Sequence, residues 1–140
     1  MDIVHTLRLY KREKLCSVKD IDLLFDRSQA ESVTAYPLRV VWRVDEGREN
    51  PKARFLITVP KKRLRHAVDR VLMRRRIRES YRLNRHHLEA MPTGRPIDMA
   101  FIYVSDSVKP YPRIESAMIK ALKKICQQVA DRKSPSPSDD

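Results

Sequence analysis

The amino-acid sequence predicts a single α+β domain, a small mixed sheet with three helices. Segments with helical and strand-like hydrophobic spacing follow one another as helix, two or three strands, helix, strand, helix. The 140 residues are 41% hydrophobic, enough for one core, and no internal repeat or compositional break divides them. Charge is concentrated in one place. Lys61–Arg85 carries eleven Lys/Arg against two Asp/Glu, a net +9 out of +12 for the whole chain.

The first helix is expected to open at Ser17-Val18-Lys19-Asp20. Ser17 can accept from first-turn amides, and Asp20 suits the positive helix end. Val18, Ile21, Leu24 and Phe25 recur at helical spacing to about Arg27. Tyr36–Val44 reads as a half-buried strand, with Leu38, Val40 and Trp42 on one face and Arg39, Val41 and Arg43 on the other. Asp45–Pro51 is a polar turn, and Arg54–Val59 a second strand ended by Pro60. A long helix should then run from about His66 to Ala90, broken by Pro92, Gly94 and Pro96. Ile97–Ser105 is a strand buried on at least one face. Ile114, Met118, Ala121, Leu122, Ile125 and Val129 form the stripe of a C-terminal amphipathic helix. The folded domain is expected over residues 1–131, with 132–140 a disordered tail containing SPSPSDD.

Composition excludes several classes of function. A pI near 10.1 points to a polyanionic partner. No apolar run approaches the roughly 18 residues that a spanning helix needs. The N-terminal stretch lacks the apolar centre of a signal peptide, and Cys16 and Cys126 form no C-x-x-C pair. A cytoplasmic location with no membrane partner is the expectation. The two glycines, Gly47 and Gly94, leave no material for a Gly-rich phosphate loop. Asp20, Asp22 and Asp26 point in different directions on a helix, and Asp45, Glu46 and Glu49 sit in a turn, so neither set suits a two-metal nuclease. His86-His87 with Glu89 lacks metal-ligand spacing. The expectation is that no side chain here is catalytic and none binds metal.

The basic helix has internal order. With about 100° per residue and Ile77 at zero, Met73, Tyr81, Asn84 and Leu88 lie within about 40° of it, a buried stripe. Arg74, Arg75, Arg78, Arg82 and Arg85 gather at about 60° to 160°, and Arg76 lies apart. Like charges at i,i+4 cost a few tenths of a kcal/mol each, which a bound anion relieves. The bland alternative is a solvated face, but such faces mix signs, and Glu79 is the only acid from Arg70 to Arg85. Arginine outnumbers lysine, and its planar fork matches phosphate oxygens and stacks on bases. Nucleic acid is therefore the favoured partner.

Val59-Pro60-Lys61-Lys62, then Ala67-Val68-Asp69-Arg70, then Arg74-Arg75-Arg76-Ile77-Arg78-Glu79 resembles the protein subunit of bacterial ribonuclease P. Glu13-Lys14-Leu15 and Asp20–Phe25 extend the resemblance, which covers about Thr6 to Cys126. It implies an α+β sandwich similar to the second domain of a small-subunit ribosomal protein, with the basic helix in a left-handed βαβ crossover. General topology would favour the right-handed form. It also implies that a partner RNA performs Mg²⁺-dependent removal of the 5′ leader of precursor tRNA, with the metal bound mainly by that RNA. The implied RNA-binding residues are Lys61, Lys62, Arg65, Arg70, Arg74, Arg75, Arg78 and Arg82. A leader-binding cleft would lie between the first helix and the sheet, near Ile21, Phe25 and Trp42, all three of which are also ordinary core candidates. The chain departs from the family at Val71-Leu72, where the family has Asn-Arg. The alternative to this reading is a structural RNA-binding protein of ribosomal type.

Overall fold

The computed structural model describes residues 15, 18–26, 30–44, 53–89 and 97–133. Eight elements follow in order: α1 (Val18–Leu24), β1 (Glu31–Ala35), β2 (Leu38–Val44), β3 (Arg54–Thr58), α2 (Ala67–Asn84), α3 (His86–Glu89), β4 (Ile97–Tyr103) and α4 (Tyr111–Lys133). The strands form one mixed sheet in the order β1-β2-β4-β3. The β1–β2 and β2–β4 pairs are antiparallel, and β3 runs parallel to β4. This is the α+β architecture that the sequence pattern predicts.

Alternation along β2 and β4 divides the sheet into two faces. Leu38, Val40, Trp42, Met99, Phe101 and Tyr103 face the larger core, where α2 and α4 pack. Val41 and Ala100 face the other way, against Leu15 and Leu24. Beneath α2, Tyr81 meets Phe55 and Phe101 with ring centroids 4.6 and 5.3 Å away. Tilted pairs at such separations hold the helix at a defined height on the sheet. Every residue of the expected α4 stripe is buried.

Two boundaries differ from expectation. The strand expected from Tyr36 is a hairpin: β1 precedes β2, joined at Tyr36 and Pro37, whose peptide bond is cis. Glu-Ser-Val-Thr-Ala carries only a short, weakly apolar alternation, so pairing with β2 decides it. The long basic helix ends at Asn84, and Arg85 and α3 follow as a separate turn, with Leu88 N donating to Arg85 O at 2.9 Å. Cys16, Ser17, Arg27, residues 45–51, Ala90, the 92–96 breakers and the SPSPSDD tail lie outside the described residues.

One buried charge cluster has no counterpart in the sequence reading. Asp98, fully buried on β4, accepts two hydrogen bonds from Arg54, from Nε to Oδ1 and from Nη2 to Oδ2, each 2.9 Å. Arg43 Nη1 lies 3.8 Å from Oδ2. The register places Arg43, Asp98 and Arg54 side by side on three neighbouring strands. An arginine–aspartate–arginine row thus crosses the sheet on the face opposite the larger core.

Candidate nucleic-acid interface

The surface of α2 follows from how its other face is held. Met73, Ile77, Tyr81 and Asn84 are buried, as the helical wheel predicts, and Ser80 joins them. The polar members are satisfied locally. Ser80 Oγ donates to Ile77 O at 2.7 Å, and Asn84 Nδ2 donates to Ser80 O at 2.8 Å and to Glu115 Oε2 at 3.2 Å. Tyr111 donates to the same carboxylate at 3.0 Å, and burial, reinforced by Glu115, pushes its phenol up to about 12. This polar seam sets the rotation of α2 against α4 and thereby points the opposite flank outward.

The arginines on that flank divide by what they touch. Arg74, Arg75 and Arg78 are exposed and form no salt bridge with any described residue. Arg82 is paired with Glu79, at 3.0 Å from Nε and 2.6 Å from Nη2. Arg70 Nη1 donates to the carbonyls of Leu64 and Arg65 at 2.9 and 2.8 Å, pinning the turn that leads into α2. Arg76 donates from Nη1 to Lys109 O. Lys61, Lys62 and Arg65 are exposed in the approach to the helix.

Hydrogen bonding from Arg82 holds the Glu79 carboxyl below the usual carboxylate range. The contribution of this pair to stability is therefore present at neutral pH and disappears as pH falls through the lowered value. The pair sits three residues apart on an exposed helix and contributes only a few tenths of a kcal/mol. Glu79→Gln should thus leave thermal stability nearly unchanged while freeing Arg82 for phosphate. RNA affinity should rise severalfold, with a salt slope steeper by about one contact, −0.7 to −0.9. Titrations at several salt concentrations check both.

The residues expected in the cleft do not share one place. Ile21 packs partly buried in the smaller cluster, and Phe25 is 49% exposed at the end of α1. Trp42 is fully buried in the larger core, on the other face of the sheet, where its Nε1 donates to Gln128 Oε1 at 3.1 Å. The alternation of β2 sends position 42 away from α1, so the structure does not bring Trp42 to the cleft. Its fluorescence should remain unchanged when a single-stranded RNA oligonucleotide binds; quenching on titration would show that base contact reaches it. Arg39, which the sequence reading did not single out as a site residue, lines a hollow of about 430 Å³ with Phe25, Val41, Asp26 and Glu31. Its place on the outward face of β2 was legible, but its neighbours from β1 and α1 were not.

Val71 is 44% exposed and stands among Arg74, Arg75 and Arg78 around a second hollow, of about 470 Å³. Leu72 is partly buried. No group of three or more His, Cys, Asp or Glu that could hold a metal occurs among the described residues. No described helix is long and apolar enough to cross a membrane.

A small mixed sheet carrying one arginine-flanked helix defines a basic α+β domain of the RNA-binding kind. A family model described as Ribonuclease P matches residues 9–126. The ribonuclease P protein components of two Porphyromonas gingivalis strains, ATCC 33277 and W83, are each 38% identical over 126 residues, spanning 89% of this chain and 90% of theirs. Among solved structures, the RNase P protein of Staphylococcus aureus aligns with TM-score 0.64 at 19% identity, over 81% of this chain and 94% of that one. That of Thermotoga maritima aligns with TM-score 0.63 at 22% identity, over 81% and 97%. The chain belongs to the bacterial ribonuclease P protein family. It is the accessory protein subunit of an endoribonuclease whose family function is maturation of tRNA 5′ ends.

Proposed function

We propose that the chain binds the catalytic RNA of ribonuclease P through Arg74, Arg75 and Arg78, aided by Lys61, Lys62 and Arg65. The observation that carries this reading is the group of three exposed arginines on one flank of α2, outside any salt bridge among the described residues. Arg82 joins when Glu79 yields it. Arg70 acts indirectly, by holding the 60–65 turn in place. The 5′ leader of precursor tRNA lies along the α1 face, with Phe25 and Ile21 offering apolar contact and Arg39 a phosphate partner. Trp42 supports this face only from behind.

No side chain of this chain acts as general acid or base in this reading. The reaction's Mg²⁺ does not fit the described residues, which lack a carboxylate cluster and present a cationic flank. The metal is held by the RNA, and the protein contributes charge neutralisation and positioning. The same reading includes cytoplasmic assembly, no membrane partner, a left-handed β3–α2–β4 crossover and likeness to a ribosomal-protein domain. The adjacent, parallel β3 and β4 are consistent with such a crossover.

The test adds the full chain to the ribonuclease P RNA of its own organism and follows leader removal at low Mg²⁺. Stimulated cleavage is expected. Intact RNA binding without stimulation would overturn the proposal.

A further inference from the structure

We propose that the hollow at the outer edge of β3, where Leu15 N donates to Phe55 O, receives one unpaired base of a bound RNA, while the arginines of α2 grip the phosphates on either side. This rests on the reading of α2 as an RNA surface and adds a base-sized subsite to it. The hollow measures about 470 Å³, within the range of small-ligand pockets. Leu56, Ile57 and Val71 give it an apolar floor, and Arg74, Arg75 and Arg78 stand at its rim, with no acid among its described lining residues. The hollow beside Phe25, by contrast, sets Asp26 and Glu31 against a single Arg39. Charge complementarity to a nucleotide thus favours the β3-edge hollow.

The apolar floor says more than the charge does. An arginine flank that only followed a duplex backbone would need no apolar hollow. Here Val71 is 44% exposed amid three guanidinium groups, and Val68, one turn earlier, is 78% exposed. Apolar surface left in water between cations gains from being covered by a flat, uncharged face. A nucleobase provides that face and brings its own phosphates to the rim. A-form duplexes hide their base edges in a deep, narrow major groove, so proteins read RNA chiefly at unstacked nucleotides, which stack on aromatic side chains or, as Arg74, Arg75 and Arg78 can provide here, on arginine planes. Position 71, where the family pattern is polar, adds the helix's own aliphatic contribution to this floor.

The experiment measures binding of three RNA probes to the full chain: a paired duplex, the same duplex with one unpaired adenosine, and that duplex with an abasic nucleotide at the unpaired position. The bulged probe is expected to bind about tenfold more tightly than the abasic one, the order of a single base contact. In Val71→Ser, a surface change that the helix tolerates, the bulged-to-abasic ratio should fall towards one. Bulged and abasic probes binding alike, with normal salt dependence, would overturn the base subsite and leave the hollow to another occupant such as a peptide segment. A bulge preference that survives Val71→Ser would place the base elsewhere and also overturn it. If all three probes bound weakly and without salt dependence, the reading of α2 itself would fall instead.

Discussion

Arg75→Glu/Arg78→Glu is expected to lose at least about a hundredfold in affinity for the ribonuclease P RNA while the fold survives. Both side chains are exposed and carry no internal salt bridge among the described residues, so their reversal removes nothing the fold depends on. Each charge-assisted hydrogen bond to phosphate contributes about 1.5–3 kcal/mol, and two such losses reach that factor before the new repulsion is counted. The salt dependence gives the sharper readout. Removing two phosphate contacts should flatten the log–log slope by about 1.4 to 1.8. Circular dichroism and the thermal midpoint should match the parent closely, since Arg78→Glu relieves the i,i+4 repulsion with Arg74 and Arg82 while Arg75→Glu sets a like charge four residues before Glu79. Unaltered affinity in this variant would mean that the RNA docks on another surface.

Asp98→Ala should produce the largest loss of stability of any single change considered, about 3 kcal/mol. The carboxylate is fully buried and held by a bidentate pair with Arg54, with Arg43 Nη1 3.8 Å away. Removing one member of a buried pair leaves the opposite charge in a poorly solvated place, at about 3–5 kcal/mol. The lower figure applies because the Arg54 and Arg43 side chains keep 17% and 15% of their exposure. Urea unfolding measures the effect, and the double variant Asp98→Leu/Arg54→Met should recover part of it, since Arg54 is then no longer stranded although Arg43 still lacks its carboxylate. An unchanged midpoint in Asp98→Ala would show that the row contributes little. Because β4 is the strand between β2 and β3, its weakening loosens the frame from which α2 presents its arginines.

Much of the proposed RNA surface was readable in one dimension because a helix converts sequence spacing directly into direction. The buried set Met73, Ile77, Tyr81 and Asn84, and with it the opposite arginine flank, follows from the 3.6-residue period alone. The faces of β2 were readable for the same reason, through the period of two. That arithmetic stops at partners. It did not show that Glu79 occupies Arg82, nor that Arg70 closes on the carbonyls of Leu64 and Arg65, because these depend on side-chain reach and on the path of the turn. β1 was missed as a separate strand because five short or polar residues acquire strand character only by pairing with β2.

The sequence alone determined the α+β class and the helix on which the positive charge gathers, since charge and hydrophobic period are local properties of the chain. Only the tertiary structure decided which cations stay free and which faces of the sheet their neighbours share. Asp98 found its arginines through strand register, Trp42 was turned into the larger core, and Val71 came to stand over the edge of β3. Each of these is a contact between residues distant in sequence. Such contacts are set by how strands and helices pack, which no local period records.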